Sequence, residues 1–468
     1  MGSGKNIVMV VFDSLRKDCV GAFGQPPWGE VETPNLDALA SESRIFTRAY
    51  AETLPTLPAR RAMYTGMNVY PFHGGDFKLR GDSIRLPGWG PIPEDQDTLA
   101  ELLRDKGGYR TALISDVYHM FKPSKNYWRG FDQWTFLRGQ ESDPERSGPH
   151  IPDVELGRWM PQELADEPKR ASSLRQTLKN MRGRLHEEDY FAARVMTEAV
   201  RWLEENGDAD KFFLTVESFD PHEPWFVPEH YRRMYDDSDG PERIQPPYGS
   251  IASWAPEDVR RSQAAYSGLI TMCDRWFGRL HRALKDMGLL EDTLLVVTAD
   301  HGHSMGEEGY MGKRPYPADP AVFEVPLMLR QPEGVGDRSD SIVQHTDIAA
   351  TVLDYAGVEF AQAMDGRSLL GEGAGRDHAT VAYGSAVVVV DSQWWLNAKV
   401  DGTGAFLYDL DSPDPRAKNL ADERPEVADR LFSLALNDAR GGFPEYLMTM
   451  ANELADATGS SSRVLRGA

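Results

Sequence analysis

The chain has 468 residues, of which 41% are apolar, so it can bury a large core. Its formal net charge of -22 argues against a protein that binds the phosphate backbone of nucleic acids, because such binding requires a basic face. Its two cysteines, Cys19 and Cys273, cannot form a disulfide framework and do not indicate a zinc site.

Four apolar, β-branched runs predict strands buried on both faces: NIVMVVF, YRTALIS, KFFLTVES and TLLVVTA. Amphipathic helical patterns alternate with them, including TPNLDALASESRIF, QDTLAELLRDKG and a long one over 261–288. This alternation predicts an α/β fold, a mostly parallel sheet sandwiched by helices, over residues 1–375. Polar residues that end the strands should meet at one rim, the usual place of a site in such sheets. They are Asp13, Ser115–His119, Asp220–His222 and Asp300–His303.

Three further segments differ from this pattern. Residues 138–190 are rich in Pro, Gly and charge, which indicates an inserted lid or an oligomer contact, or else a solvated loop. Residues 376–445 contain short alternating runs with turn signals and one helical pattern, which predicts a small α+β subdomain built from an antiparallel sheet and a helix. Residues 446–468 are expected to be a frayed tail.

The stretch ETLPTLPARR places a hydroxyl, a rigid turn and a cation close together at Thr56, Pro58 and Arg60. Taken alone, it is typical of a helix start, because a Thr oxygen can cap free N–H groups and Pro fits the first turn. The alternative is a nucleophile beside an anion clamp. The stretch does not decide between them.

A candidate metal site follows from two of the strand ends. Asp300 and His301 can offer a carboxylate oxygen and an imidazole nitrogen, and Asp13 can add another oxygen. Mixed oxygen and nitrogen ligands suit Mn²⁺ or Zn²⁺ better than Ca²⁺ or Mg²⁺, without excluding the latter. A run of glycines after His301 permits tight turns and leads to the cation Lys313.

At this point the chain resembles the sulfatase family of the alkaline phosphatase superfamily. The segments that carry the resemblance occur in family order along nearly the whole chain: NIVMVVFDSLRKD, ETPNLDALASESRIFTRAYA, TLPARRAMYTG, YRTALISDVYH, DPHEPWFVPEHY, TADHGHSMGEEGYMGKRPYPADPAVFEVPLMLR, VQHTDIAATVLDYAG and LYDLDSPDPRAKNLA. TLPARRAMYTG occupies the place of the C-x-P-x-R nucleophile motif. The resemblance implies an alkaline-phosphatase-like fold and a hydrolase of small anionic esters.

The resemblance also implies a role for individual residues. Asp13, Asp300 and His301 match metal ligands, and Thr56 matches the nucleophile, which also reaches the metal. Arg60 matches the arginine that helps hold the nucleophile and the metal. His222 and Lys313 match residues that contact the substrate oxyanion, and His119 matches the histidine of a GKWH segment.

The metal site departs from the family pattern. Ser14 stands where many sulfatases have a second aspartate ligand, and Asp116 stands near the position of a sulfate-binding lysine. We therefore expect one divalent cation, with Mn²⁺ or Zn²⁺ favoured and Ca²⁺ as the alternative. His345 and Asp347 could join a second metal, but Asp347 better fits a helix N-cap, and Asp220 is similarly ambiguous.

The nucleophile position departs most. Sulfatases carry Cys or Ser there and oxidise it to formylglycine, for which Thr56 has no known route. Threonine is used by phosphodiesterase and phosphonate-hydrolase members, so we expect cleavage of a phosphodiester or phosphonate monoester through a Thr56 intermediate. The alternative is a sulfatase acting on a sulfate ester, and the third possibility is a non-catalytic relative that binds an anion.

Partners and location are expectations from composition. No apolar stretch approaches the ~20 residues of a membrane span, and no secretory cleavage pattern follows the first apolar run. We expect a cytoplasmic enzyme with a small-molecule anionic ester as substrate, without nucleic-acid or membrane partners, and with a possible homo-oligomeric state.

Overall fold

Strands of a large central sheet organise the chain. The computed structural model describes residues 6–72, 82, 84, 86–160, 168–245, 247–359, 363–371, 373–455 and 457–466. Its strands are, in chain order, β1 (Asn6–Phe12), β2 (Arg44–Tyr50), β3 (Thr53–Leu54), β4 (Arg110–Ser115), β5 (Gln133–Phe136), β6 (Phe212–Ser218), β7 (Gly249–Ser250), β8 (Thr293–Ala299), β9 (Ser304–Met305), β10 (Tyr310–Gly312), β11 (Leu327–Arg330), β12 (Asp337–Gln344), β13 (His378–Tyr383), β14 (Ala386–Asp391), β15 (Trp394–Lys399) and β16 (Phe406–Asp409).

The central sheet has the strand order β12-β2-β11-β8-β1-β6-β4-β5. β1 pairs in parallel with both β6 and β8, and β4 continues the parallel set on the far side of β6. β11 alone runs against its two neighbours, β8 and β2. The predicted mostly parallel sheet is therefore confirmed, and the four apolar runs of the sequence form β1, β4, β6 and β8.

Helices cover this sheet, as the α/β prediction requires. They are, in chain order, α1 (Pro34–Ser41), α2 (Thr56–Thr65), α3 (Leu99–Asp105), α4 (Tyr118–Phe121), α5 (Asp153–Leu156), α6 (Pro168–Met181), α7 (Phe191–Asn206), α8 (Glu229–Arg232), α9 (Pro256–Asp286), α10 (Pro320–Phe323), α11 (Thr346–Ala356), α12 (Pro425–Asp438) and α13 (Glu445–Glu453). α1 and α7 pack on α9, whereas α2, α3 and α11 pack on one another. Because β1, β6 and β8 are buried at every position, both faces of the sheet are covered. Within the described part of the chain, no helix combines the length and apolar character that spanning a membrane demands.

The C-terminal region forms a second, smaller sheet. β13 to β16 are successively antiparallel, as the sequence predicts, and α12 packs on them. The two-residue strand β3 adds to this sheet by pairing in parallel with β13. β3 ends immediately before the Pro55–Thr56 step, so the small sheet is tied to the segment that carries the candidate nucleophile.

The segment predicted as a frayed tail, 446–468, is ordered in its first part and packs on the small subdomain. α13 occupies its first part, and Leu447, Ala451 and Leu465 are buried in the core of the small subdomain. The missed signal is the spacing of apolar side chains in EYLMTMANE, which repeats at helical intervals.

The segment predicted as an inserted lid or oligomer contact, 138–190, contains α5 and α6, and its residues 161–167 lie outside the described part. Ile151, Leu156 and Leu174 are buried in the main core, so this segment is not a solvated loop. Its first turn reaches the rim of the sheet on which the candidate site lies.

Candidate active site

Three predicted metal ligands meet at the ends of two neighbouring strands. Asp13 follows β1, and Asp300 and His301 follow β8, whose last residue Ala299 lies opposite Phe12. One ligand atom from each of the three side chains lies within 4.8 Å of the others, and all three residues are fully buried. Among the described residues, no other group of three or more Asp, Glu, His or Cys side chains has the spacing of a metal site.

The donor atoms of this group fit a divalent cation. His301 donates a hydrogen bond from Nδ1 to the Gly302 carbonyl oxygen at 2.9 Å, which leaves Nε2 buried without a hydrogen-bond partner among the described residues. Burial lowers the pKa of His301 to about 3, so the ring is neutral, the form that can bind a metal. An orphaned imidazole nitrogen beside two carboxylates is the mixed donor set that the sequence predicted.

Ser14 lies beside the predicted metal ligands, at the position where the resemblance leads us to expect a second aspartate. Its contacts show what the serine does there. Its hydroxyl donates to Asp13 Oδ1 at 2.9 Å, and its backbone N–H donates to Asp300 Oδ1 at 2.9 Å. The backbone of Ser14 has a φ of 63°, so the turn aims both groups at the two aspartates. Ser14 therefore orients the acidic ligands and adds no further negative charge.

Arg60 contacts the carboxylates of both Asp13 and Asp300. Its Nη1 lies 3.0 Å from Asp13 Oδ2 and 2.5 Å from Asp300 Oδ2, and its Nε donates to Glu217 Oε2 at 2.9 Å. All four side chains are completely buried. Glu217 was not singled out from the sequence, although a glutamate inside the apolar strand KFFLTVES is an available signal. The cluster balances one fixed cation against the ligand carboxylates.

Thr56 is the first residue of α2 and is nearly buried. Pro55 is the N-cap, and no side chain caps the first turn, so the helix-cap interpretation of the Thr56 hydroxyl is not supported. Arg60 Nη1 donates to the Thr56 carbonyl oxygen at 3.2 Å, which couples Thr56 to the metal-ligand cluster. The uncapped N–H groups and the helix dipole also make this helix end favourable for an anion.

His222 and Lys313 share Glu223, which the sequence analysis did not identify. Lys313 Nζ donates to the Tyr248 hydroxyl at 2.8 Å and lies 3.8 Å from Glu223 Oε2, and Tyr248 in turn donates to Glu223 Oε1. His222 donates from Nδ1 to the Glu223 carbonyl oxygen at 2.5 Å. Burial and the Lys313 charge lower the pKa of His222 to about 3, so this ring is neutral with Nε2 free to accept.

His119 lies on α4, just past the end of β4. Its Nε2 is 2.8 Å from Glu141 Oε2, and its ring packs against those of Trp89 and Phe219 at centroid distances of 5.2 and 6.4 Å. Glu141 belongs to the inserted segment and was not predicted, because nothing local distinguishes it from other acidic residues there. His119 is thus the one predicted residue whose charge partner comes from the insertion.

Asp116 stabilises neighbouring segments by hydrogen bonds. In the resemblance it lies near the position of a sulfate-binding lysine. Its carboxylate accepts hydrogen bonds from the Phe219 N–H at 2.6 Å and from Gln140 Nε2 at 3.0 Å. Gln140 also donates to Asp220, which accepts in addition from the Ala192 N–H. Asp116 and Asp220 are therefore structural, in agreement with the structural interpretation of Asp220.

The possible second metal ligands are also engaged elsewhere. Asp347 accepts from the N–H groups of Gln344 and Arg367, both at 2.8 Å, and forms an ion pair with Arg376. His345 donates from Nε2 to the Ala299 carbonyl oxygen at 3.0 Å. Both side chains are therefore engaged at the start of α11, and the three-ligand group above remains the candidate metal site among the described residues.

Comparisons with known proteins agree with this geometry. A family model described as Sulfatase matches residues 5–358. A multifunctional alkaline phosphatase superfamily protein, PehA of Trinickia caryophylli, is 26% identical over 421 residues, covering 78% of this chain and 76% of the relative. An arylsulfatase of Clostridium perfringens is 26% identical over 416 residues, covering 78% and 77%. The crystal structure of a phosphonate monoester hydrolase of Agrobacterium radiobacter superposes with a TM-score of 0.70 at 24% identity, covering 98% and 99%, and so has the same fold.

Proposed function

The chain belongs to the sulfatase family of ester hydrolases, and within this family we propose that it cleaves a phosphodiester or a phosphonate monoester through a covalent Thr56 intermediate. The observation that carries the proposal is Thr56 at the uncapped start of α2, where sulfatases have their formylglycine precursor. Without the aldehyde route, a Thr56 ester must be broken by water attacking its central atom. Phosphorus in a cation-lined site can undergo this second in-line displacement.

The buried cluster supports a charge-stabilising role for the site. A divalent cation held by Asp13, Asp300 and His301 would lower the pKa of a bound hydroxyl and offset negative charge on the ester. Arg60 has its guanidinium on the ligand carboxylates, so it acts on them and on the Thr56 backbone rather than on the ester. Lys313, near the rim, is the cation that can face the ester oxygens.

The proposed reaction has two displacements, and its protons balance. The Thr56 oxygen attacks phosphorus, its proton passes to the neutral His222 Nε2, and the bond to the leaving oxygen breaks. His119 gives that leaving oxygen its proton. Water then attacks phosphorus and loses a proton to solvent, the bond from phosphorus to the Thr56 oxygen breaks, and His222 returns its proton to that oxygen. His119 is reprotonated from solvent, so each cycle consumes one water and yields an alcohol and an acid.

One relative supports an alternative substrate. The arylsulfatase of Clostridium perfringens is as similar as PehA, so a sulfate ester remains the second candidate. PehA is named a multifunctional protein, which is consistent with one scaffold serving more than one ester. Overall similarity does not separate the two substrate classes, but a threonine at the nucleophile position favours a phosphorus ester.

A panel of substrates with a common leaving group tests the proposal. Metal-stripped enzyme is reloaded with Mn²⁺, Zn²⁺ or Ca²⁺ and assayed on p-nitrophenyl sulfate, bis(p-nitrophenyl) phosphate and p-nitrophenyl phenylphosphonate. We expect higher kcat/KM on a phosphorus ester than on the sulfate, with Thr56→Ala as the control for contaminating hydrolases. A sulfate ester that is turned over faster than both phosphorus esters would reverse the assignment.

A further inference from the structure

The inserted segment delivers a carboxylate into the site. Glu141 lies in the turn after β5, with a side chain 23% exposed and Oε2 at 2.8 Å from His119 Nε2. Its backbone φ is 49°, in the left-handed region that costs about 1 kcal/mol or more for a residue other than glycine. A strained backbone at the tip of a turn persists only where its surroundings hold it in place.

The surroundings of Glu141 do hold it. Asn180 on α6 donates from Nδ2 to the carbonyl oxygens of Gly139 and Asp143, both at 2.8 Å, and Thr177 donates to the Glu141 carbonyl oxygen at 2.9 Å. Asp143 in turn accepts from the Gly139 N–H at 2.8 Å. The helix of the insertion therefore fixes both sides of the turn, and Glu141 is presented to His119 by a rigid support.

The charges around the pair keep Glu141 ionised. Burial opposes ionisation, but the neighbouring His119 and the Lys313 charge lower the pKa of Glu141 to about 2. On α4 itself, the hydroxyl of Tyr118 is a further titratable group near Glu141. A carboxylate that is ionised at neutral pH favours the protonated form of the imidazole beside it.

We propose that Glu141 is a positioning residue for His119: its carboxylate lies beside Nε2 and orients the ring so that Nδ1–H is directed to the leaving oxygen. The inference rests on the proposed function. In the step, the Nδ1 proton passes to the leaving oxygen as its bond to phosphorus breaks. His119 keeps its place beside Glu141, and it regains its proton from solvent before the next cycle.

The test compares Glu141→Gln with Glu145→Gln, a matched control in the same segment. Glu145 is 25% exposed and pairs with Arg184 at 3.3 Å, away from His119. In metal-loaded enzyme with ¹³C-labelled histidine, with the His119 signal assigned by its loss in His119→Asn, we expect Glu141→Gln to lower the His119 pKa by about one unit or more and Glu145→Gln to leave it unchanged. Glu141→Asp should restore part of the shift, because it keeps the charge.

The kinetic half of the test uses leaving groups of different quality on the preferred ester. Glu141→Gln should lose about 10²-fold on a phenyl ester, which needs a proton, and much less on the p-nitrophenyl ester. The alkaline limb of its pH profile should also move to lower pH. An unchanged His119 pKa overturns the inference whatever the substrate is. An unchanged leaving-group dependence overturns the role in proton donation, whereas a preference for sulfate affects only the proposed function.

Discussion

The active site has two sides that are built differently. The metal side consists of Asp13, Arg60, Glu217, Asp300 and His301, all completely buried and carried by the neighbouring strands β1, β6 and β8 or by α2. The acid side consists of residues from a short helix, from turns and from the insertion: His119, Glu141, His222, Glu223 and Lys313. Glu141 is partly exposed, and the other four are buried, though less completely than the metal side.

Residues on the metal side are fixed by the packing of the central sheet, whereas residues on the acid side lie on loops and can be substituted more easily. On the metal side, removing one partner leaves an unpaired buried charge, which typically costs 3–5 kcal/mol. On the acid side, side chains sit on segments that can change without unpacking the sheet. The metal side is therefore tied to the core of the fold, and we expect the acid side to be where this chain selects its leaving group.

The largest effect should follow a change on the metal side. Asp300→Asn keeps the size of the side chain but removes a charge that pairs with Arg60 and that we propose binds the metal. We expect loss of bound metal and a fall in kcat/KM of about 10³-fold or more, because several kcal/mol of charge stabilisation are lost. Elemental analysis and steady-state kinetics measure both, with the exposed Asp337→Asn as control. Full activity in metal-free enzyme would contradict this prediction.

A change at Thr56 should separate chemistry from metal binding. We expect Thr56→Ala to keep its metal and fold but to lose about 10³-fold in kcat, whereas Thr56→Ser keeps the attacking oxygen and most of the activity. Intact-mass analysis of acid-quenched enzyme during turnover should find a phosphoryl adduct on the parent chain and none on the Ala variant. An Ala variant as fast as the parent would mean that water attacks the ester directly.

The sequence was sufficient to predict the metal side, for physical reasons. Short, β-branched runs such as NIVMVVF favour strands buried on both faces, and parallel strands bring their carboxyl ends to one rim. Asp13 and Asp300 had to lie close together once β1 and β8 were neighbours. Glu217 was missed, although a carboxylate inside a buried strand needs a cation and so marks itself in the sequence.

The acid side and the domain connections were harder to predict because they depend on contacts between distant segments. Glu141 meets His119 through a turn held by α6, and no local pattern marks it among the acidic residues of that segment. The pairing of β3 with β13 joins residues more than 300 positions apart, and two residues are too few for a strand pattern. Such contacts are fixed by tertiary packing rather than by local propensity.

The smallest effect should be on the pH dependence of stability, and it probes the acid side without any substrate. Glu141 has an ordinary pKa of 4.5 that is lowered to about 2 in the folded chain. A depressed pKa stabilises the folded state above 4.5, and this contribution is lost as the pH falls from 4.5 through 2. Between pH 5.5 and 3.5 the parent should lose about 1 kcal/mol more in free energy of unfolding than Glu141→Gln, which has no carboxylate there to protonate.

Urea unfolding at several pH values in that window measures the difference, with Glu145→Gln expected to follow the parent. Parallel curves for the parent and Glu141→Gln would show that Glu141 is not held ionised by the site, and the acid side would then lack the charge that distinguishes it from an ordinary loop.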